Sequence, residues 1–430
     1  MTLWEKMKAS PVLGGKEGIV GLAVLAAIIF VVLPLSVDIF RLNLIGKYLT
    51  YAFVAVGLVM LWGHGGILSL GQGIFFGLGG YAMAMFLKLE ASDPESTKIQ
   101  STPGIPDFMD WNQLTALPWF WEPFKSLPFT LIAVLTIPAI FAYIIGYAMF
   151  KRRVGGVYFS IITQAIALIL SILIVGQQGY TGGVNGMTDL RTMLGWDIRT
   201  DSAKYILYFV NGLLLFGAIF LSRYIMSSKF GMLLLAMRDK EERVRFSGYD
   251  VSNFKIFIFC LAAMMSAVGG AMFTLQVGFM SPSFVGIVPS IEMVIFCAVG
   301  GRASLIGAVY GTLLVNYGKT VFSETYPELW LFLMGGLFIS VVMFFPDGLA
   351  GIWDKLATKY GWFKDKVAAK KPEVSTSEVE AQAVLTESST TSAAVSTDAA
   401  AKTTARKKAA AKEMDLPSAI ESNKMRGAEA

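Results

Sequence analysis

Glu292 is the acid that this chain can least easily hide, because in PSIEMVIF it stands at the head of an apolar run. A carboxylate at the centre of a bilayer costs roughly 2.5 to 3.5 kcal/mol on insertion scales. It therefore faces a cavity or a partner, or else it sits at the interface, where the cost is small. Ser69 and Gln72, in LSLGQGIFFGLGGY at 68–81, and Gln276 add hydroxyl and amide groups to apolar surroundings. With Gln164 and Asn316 they exchange hydrogen bonds without ionising, which suits either helix-to-helix bonding or the passage of a polar solute. Gly71, Gly73, Gly77, Gly79 and Gly80 let backbones approach closely in the same stretch, a packing role compatible with lining a path. A second chemistry is ionic. Between Arg223 and Asn253, Lys229, Arg238, Lys240, Arg243 and Arg245 alternate with Asp239, Glu241 and Glu242, beside the apolar Leu233–Met237. That pattern makes a small amphipathic helix on a charged loop, a surface built to dock.

Hydrolytic chemistry finds no footing. The single histidine, His64, excludes an HExxH metal site, and it lies at the end of an apolar run without a second His or Cys nearby. Gly318, Lys319 and Thr320 match the end of a phosphate loop, but Leu313 stands where such a loop needs glycine. No cofactor or metal is expected, and no ATPase site. Cys260 and Cys297 both fall in apolar runs, where a thiol simply packs.

The elements that must hold these residues are membrane helices. Of 430 residues, 55% are hydrophobic and only 16% are charged, with 43 glycines. A bilayer core about 30 Å thick needs roughly 20 apolar residues at about 1.5 Å rise each. Runs of that kind cover Gly18–Val37, Leu44–Trp62, Ile67–Leu87, Phe129–Phe150, Tyr158–Val175, Tyr205–Leu221 and Phe254–Val277. Phe284–Asn316 adds two short spans broken near Gly300, Gly301 and Arg302, and Leu329–Phe345 is the last. The expectation is an all-α polytopic bundle of nine or ten spans occupying 18–346, after a cytoplasmic segment over 1–17. Strand-length alternation is missing, which argues against a β-barrel. Lysine and arginine in short loops mark the cytoplasmic side. They put the Lys151–Arg153 cluster and the 223–253 loop there, and the 90–127 and 177–202 loops outside. Pro94, Pro103, Pro106, Pro118 and Pro123 forbid a continuous helix in the first of those outer loops. From 347 onward a cytoplasmic tail is expected, disordered beyond about 363, because no aromatic residue follows Phe363. The net charge of +5 reports topology, so nucleic acid is not an expected partner; the lipid bilayer is.

Glu242, followed six residues later by Gly248 between two spans, resembles the EAA-type loop through which permeases of ABC importers dock their ATPases. TGGVNGMT at 181–188, SKFGMLLLAMRDKEERVRFSGYD at 228–250 and SIEMVIFCAVGGRASLIGA at 290–308 join LSLGQGIFFGLGGY in a wider likeness. From roughly Leu44 to Gly351 the chain closely resembles the branched-chain amino acid importer permeases of the LivM type. Within that family LPWFWEPF at 117–124, SIITQA at 160–165 and SIEMVIF with AVGGR are most similar to the urea-importer permeases. The family often carries His where Gln72 stands, and the tail beyond Phe363 has no counterpart. The resemblance implies one permease subunit of an ATP-driven importer in the inner membrane. Its partners would be a second homologous permease, two cytoplasmic ATPases and a periplasmic substrate-binding protein. It implies a coupling helix over about Gly231–Gly248, with Arg238, Asp239, Glu241 and Glu242 as ATPase contacts. Urea is the expected cargo, passing Ser69, Gln72, Gln276 and Glu292. Branched-chain amino acids are the alternative, and a passive small-solute channel is the reading from another class.

Overall fold

A computed structural model of the protein describes residues 16–351 apart from 96, 99 and 345–347. Expectations for the first 15 residues and for the tail from 352 onward lie outside the described residues. Helices dominate the rest. They are α1 (Lys16–Ala27), α2 (Ile39–Leu58, continued by a wider turn over Val59–His64), α3 (Gln72–Ala91) and α4 (Leu127–Phe150). There follow α5 (Val157–Gly176), α6 (Asp201–Ser227), α7 (Lys229–Phe246) and α8 (Val251–Val277). The last three are α9 (Ile287–Gly300), α10 (Leu305–Thr325) and α11 (Trp330–Phe344). A two-stranded hairpin pairs Thr192–Met193 with Trp196–Asp197.

Six of these helices are long and apolar enough to cross a membrane: α2 with its added turn, α3, α4, α5, α6 and α8. The expected nine or ten spans are therefore not reached on length and composition alone. Val20–Ser36 and the 14-residue α9 are apolar but short. The predicted break near Gly300–Arg302 is present between α9 and α10. The predicted span Ile67–Leu87 is corrected at its start, because the chain is not helical from Gly66 until Gln72.

Helices α2, α3 and α8 form the centre, buried along most of their length. Their rings make one cluster: Tyr51 stacks on Phe76 at 5.3 Å, and Phe273 and Phe296 meet Tyr51 at 5.7 Å each. Helices α4, α5 and α6 turn apolar side chains such as Ile140, Ile169 and Leu213 outward. In water such a surface would aggregate; beside lipid it costs nothing. The two ends of the bundle are tied differently. At one end Lys88 pairs with Asp107 at 2.9 Å, Trp121 donates to the Tyr180 carbonyl, and Glu90 accepts from the Leu194 and Gly195 amides. At the other, Lys151 pairs with Asp250 at 2.7 Å and the Ser252 hydroxyl donates to the Phe150 carbonyl.

The centre depends on glycine. A Cβ on Gly270 would lie 1.8 Å from the Phe76 carbonyl oxygen, and one on Gly79 would lie 2.1 Å from that of Ala267, so α3 and α8 touch backbone to backbone. Gly270→Ala is expected to abolish or sharply lower the yield of monodisperse protein in detergent size exclusion, since overpacking of this kind costs about 1–3 kcal/mol or more. Gly217→Ala, whose added carbon meets nothing within 4 Å, is expected to leave the profile unchanged.

Candidate translocation path and docking element

Ser69 and Gln72 lie where the chain stops being helical inside the bundle. After the wide turn of α2, residues 66–71 have no regular structure, and their backbone groups are met by α5. The Ser160 hydroxyl donates to the Leu68 carbonyl at 2.7 Å, and the Leu70 amide donates to the Thr163 hydroxyl at 3.2 Å. The Ser69 hydroxyl accepts from the Gly71 amide at 3.4 Å. These bonds replace what the missing helix would have supplied. Gln72, fully buried, accepts from the Ser266 hydroxyl of α8 at 2.9 Å, while its side-chain nitrogen has no partner among the described residues.

A second break in the α-helices, 278–286, holds one 3-10 turn over Pro282–Phe284 and packs against α3. Gly278 ends α8 in a left-handed conformation, φ +78°, and Met280 then exchanges both backbone hydrogen bonds with Met187, at 2.8 and 2.9 Å. The TGGVNGMT motif thus pins the second stretch, and Gly186 is required there because a Cβ would lie 2.1 Å from the Met280 carbonyl oxygen. The stretch then passes α3. Cβ atoms on Gly77 and Gly80 would strike Val285 and Met280, and the Gly73 amide donates to the Ser290 hydroxyl of α9 at 3.1 Å. Both breaks therefore converge on the start of α3, and each of the five glycines in LSLGQGIFFGLGGY is a point of close approach.

Gln276 and Glu292 belong to a different place. Gln276 donates to Asn43 of α2 at 2.5 Å, and Glu292 pairs with Lys319 of α10 at 2.8 Å, their side chains 13% and 31% exposed. The Tyr48 and Thr320 hydroxyls bond beside them. The cavity-or-partner reading of Glu292 thus acquires a partner that the sequence reading missed. Lys319 had been weighed only as part of a phosphate loop, and Lys47, a charge inside an apolar run, was the other available signal.

The charged loop forms α7, capped by Ser228, whose hydroxyl accepts from the Phe230 amide. The expected helix over Gly231–Gly248 is shifted to Lys229–Phe246, and Gly248 lies beyond it at φ +85°. Lys240 has non-helical angles, φ −150° and ψ 81°, so α7 is two straight pieces. Of the expected contact residues, Arg238, Asp239 and Glu242 are exposed and Glu241 is partly buried, while the side chains of Arg238 and Glu241 also bond inward. Arg238 donates to the Gly63 carbonyl at 2.7 Å, and Glu241 bridges Arg245 and Lys255, each at 2.7 Å. Arg238, Glu241, Lys255 and Phe159 line a cavity of about 190 Å³. The nearby Lys151 ammonium, by hydrogen bonding, holds the Asp250 carboxyl below the usual carboxylate range. Ser290→Ala would leave the buried Gly73 amide without its acceptor, at about 1–3 kcal/mol. A lower melting temperature in detergent is expected, with no change for Thr136→Val, whose exposed hydroxyl bonds only its own helix.

The model of the branched-chain amino acid transport system / permease component family matches residues 40–342. The high-affinity branched-chain amino acid transport system permease protein LivM of Salmonella typhimurium is 24% identical over 336 residues, 73% of this chain and 69% of its own. The permease protein BraD of the same kind of system in Pseudomonas aeruginosa is 22% identical over 313 residues, 70% of this chain and 92% of its own. The xylose transport system permease protein XylH of Escherichia coli is 25% identical over 154 residues, 34% and 36% of the two chains. No solved structure matches at the same stringency. With the family model covering well over half of its length, the chain belongs to the permease component family of branched-chain amino acid transport systems.

Proposed function

We propose that the chain is one permease subunit of an ATP-driven importer, and that its cargo is a branched-chain amino acid. In this reading a second homologous permease completes the path, a periplasmic binding protein delivers cargo, and two cytoplasmic ATPases dock on α7. Urea, expected from three short motifs, finds no support in the relatives, whose names specify branched-chain amino acids and xylose. The permease names also favour membrane transport over enzymatic activity.

One contact carries the reading: Arg238 of the docking helix donates to the Gly63 carbonyl, at the point where α2 gives way to the first break. A push on α7 is delivered to the non-helical stretch that holds Ser69 and leads into Gln72 at the start of α3. Broken helices that meet inside a bundle are where transporters of several folds bind cargo, because unpaired helix ends and irregular backbone supply polar groups there. A passive channel has no use for a charged helix wired to that stretch. Asp239 and Glu242, exposed on α7, are the ATPase contacts in this reading, with Gly248 freeing the chain to turn back into α8.

The test is uptake of labelled leucine and labelled urea in cells lacking the gene and in cells with it restored. Leucine uptake lost, rescued and abolished by depleting ATP is the expected result. Urea uptake alone would move the cargo, and uptake that survives ATP depletion would replace the importer by a channel. In the assembled transporter, Arg238→Ala is expected to keep ATP hydrolysis within about twofold while leucine uptake falls about tenfold or more, a loss of about 1.4 kcal/mol or more in coupling.

A further inference from the structure

The ion pair of Glu292 and Lys319 has a third member. Lys47 of α2 lies within electrostatic reach of both groups and sits over the Phe273 ring at 5.9 Å. Asn43, one helical turn earlier on the same face of α2, carries the bond to Gln276, so amides continue the polar surface beyond the charges. The Tyr48–Thr320 hydroxyl pair continues it on the other side.

Helix length sets the depth of this cluster: with α2 and its added turn centred in the slab, Lys47 comes about 7–8 Å inside the edge. Ile39–His64 spans 26 residues, about 39 Å at about 1.5 Å per residue, which overhangs a core of about 30 Å by only about 4–5 Å at each end. Lys47 lies about 12 Å along that axis from Ile39. Charges at such depth do not face lipid; they face protein or water. Yet Lys319 and Glu292 keep some exposure in the isolated chain, and Lys47 is only half-buried. The face of α2, α9 and α10 that carries them is suited to a wet space or to another subunit.

The composition of the cluster says what could use that space. Two ammonium groups and one carboxylate leave an excess of one positive charge, in a place where an ion pair alone would have sufficed. An amino acid zwitterion has the complementary pair: its carboxylate suits the lysines, and its ammonium suits Glu292. Urea, being neutral, needs neither. We propose that Lys47, Glu292 and Lys319 form a charge-exchange site, at which the Glu292–Lys319 pair opens to hold the backbone carboxylate and ammonium of an amino acid in transit. The proposal rests on the importer reading and narrows its cargo to zwitterions. It does not involve the aliphatic side chain of the cargo, which the cluster does not sort.

The experiment uses the whole transporter in proteoliposomes, with its partner permease, ATPases and binding protein, and reads leucine uptake alongside ATP hydrolysis. Glu292→Gln and Lys319→Met are each expected to lower uptake at least tenfold, and Lys47→Met at least threefold, with ATP hydrolysis within twofold of the parent. The exchange E292K/K319E retains an ion pair with its direction reversed, and is expected to remain at least tenfold low. Uptake restored to the parental level by that exchange would make the pair a structural tie and overturn the proposal. Neutral variants that all stay within twofold would overturn it as well. Should the single variants fail to assemble, the exchange decides by the same criterion. A parental transporter that moves urea and not leucine would overturn the amino acid reading itself, an outcome visible before any variant is measured.

Discussion

Inside an apolar slab every backbone amide and carbonyl needs a protein partner, since no water is there to serve, and an unpaired group costs several kcal/mol. A helix meets this demand by itself. Two stretches of this chain, 66–71 and 278–286, do not, and much of the sequence around them exists to make up the difference. Ser160 and Thr163 lend hydroxyls to the first stretch, and Met187 lends a backbone pair to the second. Ser290 of α9 joins the two helices that follow these stretches, by accepting from Gly73 of α3. Those hydroxyls reach their targets only because the glycines of α3 let the neighbouring backbones come close. Polar pairing and small-residue packing are thus one device: remove the close approach and the hydrogen bonds lengthen beyond use.

Much of this could be seen in the sequence, for identifiable reasons. The glycines of LSLGQGIFFGLGGY announced close contact because no other residue permits it, and Glu292 announced a partner because an acid in an apolar run has a cost to offset. The amphipathic helix after Ser228 was legible from the alternation of charge beside Leu233–Met237. What stayed hidden was geometry. Hydropathy measures composition and is blind to hydrogen bonding, so Ile67–Gly71 read as part of a span although it is not helical. The same blindness merged Ser69 and Gln72 with Gln276 and Glu292 into one lining, whereas their partners belong to two different groups of residues. Lys47 and Lys319 were in plain view. Only the fold brings them to one carboxylate, from helices far apart in sequence.

Among the described residues, several charges are held in pairs at the two ends of the bundle. At one end of the bundle Lys88 of α3 pairs with Asp107, and Glu90 gathers the tip of the 192–197 hairpin. The basic end spends its charge on a network through Arg238, Glu241 and Lys255 that joins α7 to its neighbours. Exposed pairs of this kind contribute little to stability, about 0–1 kcal/mol each. Their value here is directional, because they decide which helix feels a displacement of another.

The break at Lys240 gives that direction a hinge line. The first piece of α7 is fastened to α2 through Arg238, and the second is fastened to α8 through Glu241 and Lys255. A rigid rod would shift both helices together and by the same amount. A jointed one divides an incoming force, so that α2, which leads into the first break, and α8, which leads into the second, can be moved in succession. In the proposed docking role, α7 would act less as a piston than as a rocker arm, with one fulcrum and two outputs.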